Sequence, residues 1–266
     1  MIHLQKIHYF TLIICLCFSS YSQAITGPLS NLSDFSELYL DLNHSILLNN
    51  DVPLDVSDYW LEDSISKAMD LTDEETLKQV KEQAENGDAD SQLLLGVVFY
   101  FEQKKFADGV KWLLLAAEQG QARAQALMAF AYLFNVGGIP TDIEKGMAWL
   151  ARAIDQKDPY AYYFKGLLYE TGNGVTKNLE QALLNYRIAA ELGAVEAMRI
   201  MGVRSVLGLG VQKNIEQGAI WVRQAAEQGD SKAWLFLGYL YQHGLGVEKD
   251  SLKALNWLEF IPQMFR

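Results

Sequence analysis

A 36-residue repeat is the feature that most constrains how this 266-residue chain can fold. Three glycine positions recur on that interval in the last three copies: Gly166, Gly202 and Gly238; Gly172, Gly208 and Gly244; and Gly174, Gly210 and Gly246. A unit of this length cannot bury its own apolar face, so it must stack against neighbouring copies. With two earlier, less regular copies there are five, and the pattern predicts a solenoid.

Each copy is predicted to form two antiparallel helices. In the third copy the first helix runs over 160–170 and ends at Gly172, where glycine permits the positive φ that reverses the chain. The second helix starts behind Asn178, a residue type that caps free N–H groups, and it ends at Gly193. Asp142, Asn214 and Asp250 hold the same capping place in other copies. The predicted fold class is therefore all-α, an α/α solenoid of antiparallel helix pairs.

The order of these signals resembles the Sel-one-like repeat, a branch of the tetratricopeptide-type superhelical solenoids. The fifth copy carries the first half of the pattern as Ala233-Trp-Leu-Phe-Leu-Gly-Tyr-Leu-Tyr241, with Gly244-Leu-Gly-Val247 behind it. The fourth copy carries the second half, from Trp221 to Gly229. On this pattern the array comprises a half-repeat at 72–89 and repeats at about 90–121, 122–158, 159–194, 195–230 and 231–266. The first repeat lacks the glycine turn and the second has one extra residue, so their turns are expected to differ in shape.

Residues 1–24 are predicted to be a secretory signal peptide. Lys6 precedes an apolar stretch from Phe10 to Phe18, and Ser22-Gln-Ala24 offers a small-residue cleavage site. The alternative, an uncleaved anchor, is disfavoured because the stretch is too short to span a bilayer comfortably. Both cysteines, Cys15 and Cys17, lie in this segment, so the mature chain is predicted to contain no disulfide. We expect an exported protein, chiefly periplasmic, with no stable membrane insertion after signal cleavage.

Acidic residues are concentrated between the signal and the repeats. Residues 25–75 hold twelve Asp or Glu against Lys67, whereas residues 76–266 hold 21 acidic and 20 basic residues. Because apolar residues alternate with these acids, the extension over 25–71 is predicted to be partly helical and packed on the N-terminal end of the array. The acids do not follow the spacing of a calcium loop. A net charge of −11 without a basic stripe disfavours a nucleic-acid partner.

One motif suggests catalysis. Ser64-Ile-Ser-Lys67 matches the Ser-x-x-Lys motif of penicillin-recognising enzymes, but the Ser-Asp-Asn and Lys-Thr-Gly elements that accompany it are absent. β-Lactamases of the resembled family carry a cysteine pair in each repeat, and the mature chain has none. His44 and His243 have no other ligand at metal-binding spacing, so neither a metal nor a cofactor is predicted. The chain is predicted not to be an enzyme, with a cell-wall or β-lactam hydrolase using Ser64 and Lys67 as the alternative.

The first helices carry apolar residues on two sides. The alanine at which the pattern begins, Ala233 in the fifth copy, is numbered 1. Positions 1, 4, 5 and 8 then lie on one side of the helix and form the predicted core. Positions 3, 7 and 10 point the other way, yet they too are mostly apolar in the five copies. The resemblance implies that first helices line the concave wall of the solenoid. Either neighbouring helices bury this second row, or the row lines a groove that binds a partner.

Aromatic and arginine side chains dominate binding energies at interfaces, which favours the groove hypothesis. The predicted partner-binding residues are Tyr100, Phe130, Tyr162, Tyr163, Arg199, Arg204, Trp234 and Tyr239. The sequence thus predicts an exported, non-catalytic scaffold that binds a protein or peptide on its concave face. The acidic extension is a further possible binding segment. The resemblance implies roles in envelope or signalling assemblies, or in host contact.

Overall fold

The computed structural model describes residues 74–102, 105–135 and 138–259. These residues form eleven α-helices and one π-helical segment, and no strand occurs among them. The predicted all-α class is confirmed. The signal peptide, the acidic extension over 25–71 and the pair Ser64 and Lys67 lie outside the described residues.

The helices follow one another as antiparallel pairs. In chain order they are α1 Glu74–Glu85, α2 Ala89–Val97, α3 Phe106–Glu118, α4 Ala122–Phe134, α5 Ile143–Asp155, α6 Pro159–Thr171, α7 Leu179–Glu191, α8 Val195–Leu207, α9 Ile215–Glu227, α10 Ser231–His243 and α11 Ser251–Glu259. The pairs α2/α3, α4/α5, α6/α7, α8/α9 and α10/α11 are the five repeats, and α1 precedes them. Each helix from α3 to α10 packs against its pair mate and against a neighbouring pair, while α1 packs against α2 and α11 against α10.

Side-chain caps fix where most of the helices begin. Asn178 accepts a hydrogen bond from the backbone N–H of Gln181 at 3.0 Å, which confirms the predicted start of α7. The first helices of repeats one, three and five start behind Asp88, Asp158 and Asp230, whose carboxylates accept backbone N–H bonds in the same way. These three caps were not among the predicted ones. They satisfy backbone donors that would otherwise have no partner within the helix.

The turn of the first repeat differs from the glycine turns of the later ones, as predicted, whereas residues 136–137 in the turn of the second repeat lie outside the described residues. In the first repeat a π-helical segment, Val98–Glu102, continues from α2, and the backbone N–H of Lys105 donates to the Phe99 carbonyl at 2.8 Å. In the second repeat α4 ends at Asn135, which has a φ of 53°. Asparagine tolerates this left-handed conformation better than most residues.

The two helices of a pair approach each other almost backbone to backbone. A Cβ atom added to Gly202 in α8 would lie 2.9 Å from the backbone nitrogen of Val222 in α9, and one added to Gly218 would lie 2.7 Å from the Gly202 carbonyl oxygen. Real Cβ contacts are not this short, so only glycine fits at either place. The distance between α8 and α9 is therefore short enough that no residue larger than glycine fits at these two positions.

The first helices α2, α4, α6, α8 and α10, which we call the first-helix layer, are the more deeply buried members of the pairs. Ten of the 13 residues of α8 are buried, against five of the 13 of α9. First helices also contact each other across repeats, α4 with α6 and α8 with α10. None of the described helices is both long and apolar enough to cross a bilayer.

We predict that Gly202→Ala lowers the free energy of unfolding by about 1–3 kcal/mol, because the new methyl group overlaps Val222 in a packed interface. Urea unfolding followed by circular dichroism measures the change. Gln224→Ala, an exposed substitution in α9, is the control and should alter stability by less than about 0.5 kcal/mol. An ordinary helical Gly→Ala substitution is stabilising by about 1 kcal/mol, so a more stable Gly202→Ala variant would contradict the close approach.

Candidate functional site

The eight predicted partner-binding residues fall into two groups by exposure. The buried group is Tyr100, Phe130, Tyr163 and Arg199. The half-buried group is Tyr162, Arg204, Trp234 and Tyr239. The structure thus brings only the second group to a surface that another molecule can contact directly.

Aromatic packing accounts for the burial of the central residues of the predicted groove. The ring of Phe130 stacks on Phe164 of the next repeat with centroids 4.6 Å apart, and only 4% of Phe130 is exposed. The ring of Tyr163 lies 5.5 Å from that of Tyr186, and 6% of Tyr163 is exposed. Of the two explanations for the second apolar row, burial therefore holds for Phe130 and Tyr163. The row becomes more open in the fifth repeat, where Tyr239 is half-buried.

Arg199 joins two repeats through an ion pair instead of lying on the surface. Its Nε atom donates to an Oδ2 oxygen of Asp230 at 2.8 Å, and the two side chains are 6% and 10% exposed. The other carboxylate oxygen of Asp230 caps α10 by accepting the backbone N–H of Ala233 at 2.8 Å. The Asp230 carboxylate therefore caps the first helix of the fifth repeat and also connects that helix to the fourth repeat.

The same device occurs one step earlier in the array. Arg123 of α4 donates from Nε to Oδ2 of Asp158 at 2.8 Å, and Asp158 caps α6. The Arg123 guanidinium also lies over the ring of Tyr160 at 4.1 Å from its centroid. The sequence signal for both pairs is an Asp directly before a first helix, with an Arg in the first helix of the preceding repeat.

Arg204 bridges neighbouring repeats within the half-buried group. Its Nη2 atom donates to Oε1 of Glu170 at 2.8 Å, and the hydroxyl of Tyr186 donates to Oε2 of the same carboxylate at 2.6 Å. Burial and the adjacent Glu170 charge both raise the pKa of Tyr186 well above its usual range. Arg204 is therefore part of the packing between repeats three and four.

A buried carboxyl group, Glu196, lies beside this set of ion pairs and was not predicted. It is 5% exposed, and it forms a hydrogen bond with the hydroxyl of Tyr160. Its Oε2 atom has no hydrogen-bond partner among the described residues. Burial, reinforced by the nearby Asp230 charge, raises the pKa of Glu196 to about 7. A carboxyl with such a pKa holds its proton at mildly acidic pH.

Lys232, in the first turn of α10, completes the cluster from the fifth repeat. Burial and the positive charge of Arg199 lower the pKa of Lys232 to about 7, while Asp230 and Glu196 act in the opposite direction. The cluster Tyr160, Glu196, Arg199, Asp230 and Lys232 thus joins repeats three, four and five through partly neutralised groups. Desolvated ionisable groups of this kind are candidate functional residues, although structural ion-pair networks show the same shifts.

The interactions that the structure shows within the cluster are hydrogen bonds and ion pairs that join neighbouring repeats. Its members are hydrogen-bonded or charge-paired to one another across repeats, and no group of three or more metal-binding side chains is found in the part of the chain that the structure describes. The cluster holds no serine, cysteine or threonine that an adjacent base could activate.

We predict that Asp230→Asn lowers the free energy of unfolding by about 3 kcal/mol, because Asn keeps the helix cap but removes the negative charge that pairs with the buried Arg199 guanidinium. Asp142→Asn is the matched control, since Asp142 also caps a helix but pairs with an exposed Lys145. That control should change stability by less than about 1 kcal/mol in the same urea titration. Equal losses in the two variants would show that burial of the ion pair has no effect.

We predict that Glu196 makes the protein less stable as the pH rises from about 4.5 to about 7. Unfolded Glu196 ionises near 4.5 and the folded residue near 7, so the unfolded state binds fewer protons in this window. The associated loss is about 3 kcal/mol. Urea titrations at both pH values should show that Glu196→Gln removes this part of the pH dependence. Equal pH dependence in the variant and the parent would contradict a raised folded-state pKa.

A family model described as "Sel1 repeat" matches the chain at residues 89–121, 122–158, 159–193, 195–230 and 232–260. Sel1 repeat proteins are generally protein-interaction scaffolds. The five matched segments cover most of the chain; the first four each contain one of the helix pairs described above, and the fifth contains α11 and all of α10 except Ser231.

The solved structures that resemble the chain include two that are more than 30% identical to it. A Sel1 repeat protein from Oxalobacter formigenes is 31% identical, with a TM-score of 0.60 over 72% of this chain and 56% of its own. The protein c5321, a protective antigen of uropathogenic Escherichia coli with an SLR fold, is 33% identical, with a TM-score of 0.50 over 68% of this chain and 39% of its own. The chain therefore spans about half or less of the length of these relatives. The repeat matches and these identities show that the chain belongs to the Sel1 repeat family.

Proposed function

We propose that this chain is an exported, non-catalytic scaffold that binds a protein or peptide partner along its first-helix layer, on the concave side of the array. The observation that carries the proposal is the presence of half-buried aromatic residues on two first helices, α6 and α10: Tyr162, Trp234 and Tyr239. Such side chains contribute much of the energy of protein interfaces. Binding by the layer also agrees with the general role of the family as interaction scaffolds.

Two of these aromatic residues are held in place, Trp234 by the preceding helix α9 and Tyr239 by neighbours within α10. The indole Nε1 of Trp234 donates to the carbonyl oxygen of Ala226 in α9 at 2.6 Å. The ring of Tyr239 lies between those of Phe236 and His243, with centroids 6.1 Å and 4.4 Å away. Side chains that are already ordered lose little rotamer entropy when a partner binds, which favours affinity. The fifth repeat is therefore the preferred part of the proposed surface.

The buried members of the predicted set act indirectly in this proposal. Tyr100, Phe130, Tyr163 and Arg199 fix the relative positions of the first helices through packing and the ion pair with Asp230. A partner would contact the half-buried residues that this packing holds in place. The buried residues are thus proposed to position the surface.

Export is the second part of the proposal. It depends on the predicted signal peptide at 1–24 and on the absence of cysteine from residues 25–266. One relative is described as a protective antigen of uropathogenic Escherichia coli, which is compatible with an exported protein. We propose a periplasmic location, with the envelope or the cell exterior as alternatives. No observation on the described residues favours the hydrolase that would use Ser64 and Lys67, or a nucleic-acid partner.

Photo-crosslinking in cells tests the proposed surface. A benzophenone amino acid replaces Tyr162 or Tyr239 in separate variants, and adducts are identified by mass spectrometry after irradiation. We expect both positions to capture the same protein, because one partner would run along several first helices. The benzophenone side chain is larger than that of tyrosine, so the circular dichroism spectrum of each variant is compared with that of the parent to check the fold.

The control variants carry the same probe at Leu184 and Ile220, which are 49% and 45% exposed on the second helices α7 and α9. These positions should yield at least tenfold less of the same adduct if the partner binds the first-helix layer. Adducts of equal yield at all four positions, or adducts confined to the second helices, would refute the proposal. Cell fractionation of the same samples tests export, since a cytoplasmic chain would contradict that part.

A further inference from the structure

We propose that the chain associates with a second copy of itself through the outer side of the second helices α7 and α9. In this arrangement α7 packs on α7 of the other copy and α9 on α9, each in antiparallel orientation. The surface, which we call the α7/α9 face, consists of Glu180, Leu184, Arg187 and Glu191 on α7 and of Glu216, Ile220, Arg223 and Glu227 on α9. It is separate from the first-helix layer, so the inference does not rest on the proposed partner binding.

The members of the face on α7 form one exposed stripe. Their spacing of four, three and four residues places them on one side of a helix with 3.6 residues per turn. Leu184 is 49% exposed, and the three charged residues around it are exposed as well. None of these three charges forms an ion pair with another residue in the described ranges. The stripe is therefore accessible to a second molecule.

The same stripe recurs on α9, one repeat later. Its members have the same spacing, Ile220 is 45% exposed, and Arg223 is half-buried. The neighbouring second helices lack the pattern. Ala148 and Ala151 occupy the places of the leucine and the arginine on α5, and Asn256 occupies the place of the leucine on α11. The α7/α9 face is therefore a local feature of repeats three and four and is not shared by every repeat.

The order of charges along each stripe is complementary to itself when the direction is reversed. The exposed Lys177 directly precedes the cap of α7, so the order is positive, negative, leucine, positive, negative. The midpoint between Glu180 and Arg187 lies within one residue of Leu184, or about 1.5 Å along the helix axis. The midpoint between Lys177 and Glu191 falls on Leu184 itself. In an antiparallel pair of α7 helices centred on Leu184, opposite charges therefore face each other along the whole stripe.

The repetition of this order on α9 fixes the orientation of the two copies. Lys213 precedes the cap of α9 as Lys177 precedes that of α7, and Ile220 is at the centre of the stripe. Because α7 and α9 run in the same direction, a twofold axis that crosses both helices places each of them antiparallel to its own copy. A parallel arrangement of α7 on α9 would bring like charges together, which is unfavourable at an interface.

The charge balance of the face allows two copies to meet. With the lysine before each cap, the face carries four positive and four negative charges, and these include every charged residue of α7 and α9. The copies therefore approach without net repulsion across the face, although the whole chain has a net charge of −11. Leu184 and Ile220 lie between the charges. Apolar contacts in the centre with charges around them are typical of protein interfaces.

The size of the face predicts a weak and reversible association. A stripe of 14 residues is about 21 Å long, and two neighbouring helices are together about 20–24 Å wide. The contact area is therefore roughly 400–500 Å² per copy, which is the size of transient complexes and not of permanent ones. We expect a dissociation constant on the order of tens of micromolar.

Sedimentation velocity of the purified chain, residues 25–266, tests the association. We expect the sedimentation coefficient to rise from that of a monomer to that of a dimer between about 5 and about 200 µM. Assembly should stop at the dimer, because a twofold interface is closed. A chain that stays monomeric over this range, or that forms larger assemblies, would overturn the inference.

Charge reversal on α7 tests the antiparallel arrangement. Arg187→Glu sets two carboxylates against each other at both symmetric contacts and should weaken dimerisation at least about tenfold. Adding Glu180→Arg to the same chain reverses both charges, so opposite charges face each other again. This double variant should recover a dissociation constant within about threefold of the parent value. A double variant that dimerises no better than Arg187→Glu would overturn the arrangement.

Lys111→Glu is the matched control, because Lys111 is exposed on the second helix α3 at the place that Leu184 has on α7. It makes the same change of charge outside the α7/α9 face and should leave the dissociation constant unchanged. Equal weakening by Lys111→Glu and Arg187→Glu would contradict the assignment of the face. All substituted side chains are exposed, so the circular dichroism melts should match that of the parent. None of them lies in the first-helix layer, so loss of the dimer would leave the proposed partner binding unaffected.

Discussion

The contact between the two helices of each repeat is the interaction on which the rest of the structure depends. Gly202 and Gly218 let α8 and α9 approach until backbone atoms of one helix touch the other. The same approach occurs at Gly166, where an added Cβ would lie 2.6 Å from the ring of Tyr186. At such distances neither helix can slide or rotate without overlap, because packed interiors have little free volume. Each helix pair therefore behaves as a rigid unit, and the side chains that contact the next pair point in fixed directions.

Joining the rigid pairs requires contacts that act across repeats, and here buried polar groups supplement apolar packing. The Arg199–Asp230 and Arg123–Asp158 pairs each connect one first helix to the cap of the next. Burying an ion pair is of little net benefit to stability, but removing one partner is strongly destabilising. Such pairs therefore specify how consecutive repeats are positioned more than they add to stability. Glu196 and Lys232, whose pKa values burial shifts to about 7, lie in the same region.

A surface held in this way suits binding by preformed side chains. The half-buried aromatic residues on α6 and α10 belong to helices whose buried faces are locked by their neighbours.

Much of the architecture could be predicted because it depends on local chemistry. The glycine turns, the Asn178 cap and the glycine behind α7 are short-range signals, and each has the predicted role. The 36-residue period further predicts that the helix pairs stack, since one pair is too small to form a core alone. The direction of Phe130 and Tyr163 along their helices could also be read from the 3.6-residue period.

The sequence by itself determined the all-α class, the order of the helix pairs and the type of their turns and caps, since these follow from residues close together in the chain. Only the tertiary structure decided which side chains are covered. It buried Phe130 and Tyr163, paired Arg199 with Asp230, and left Tyr239 half-buried. The helical period predicts the direction in which a side chain points, but the burial of that side chain depends on which residues of other helices lie in that direction. For Phe130 that is Phe164, a residue of another helix and another repeat.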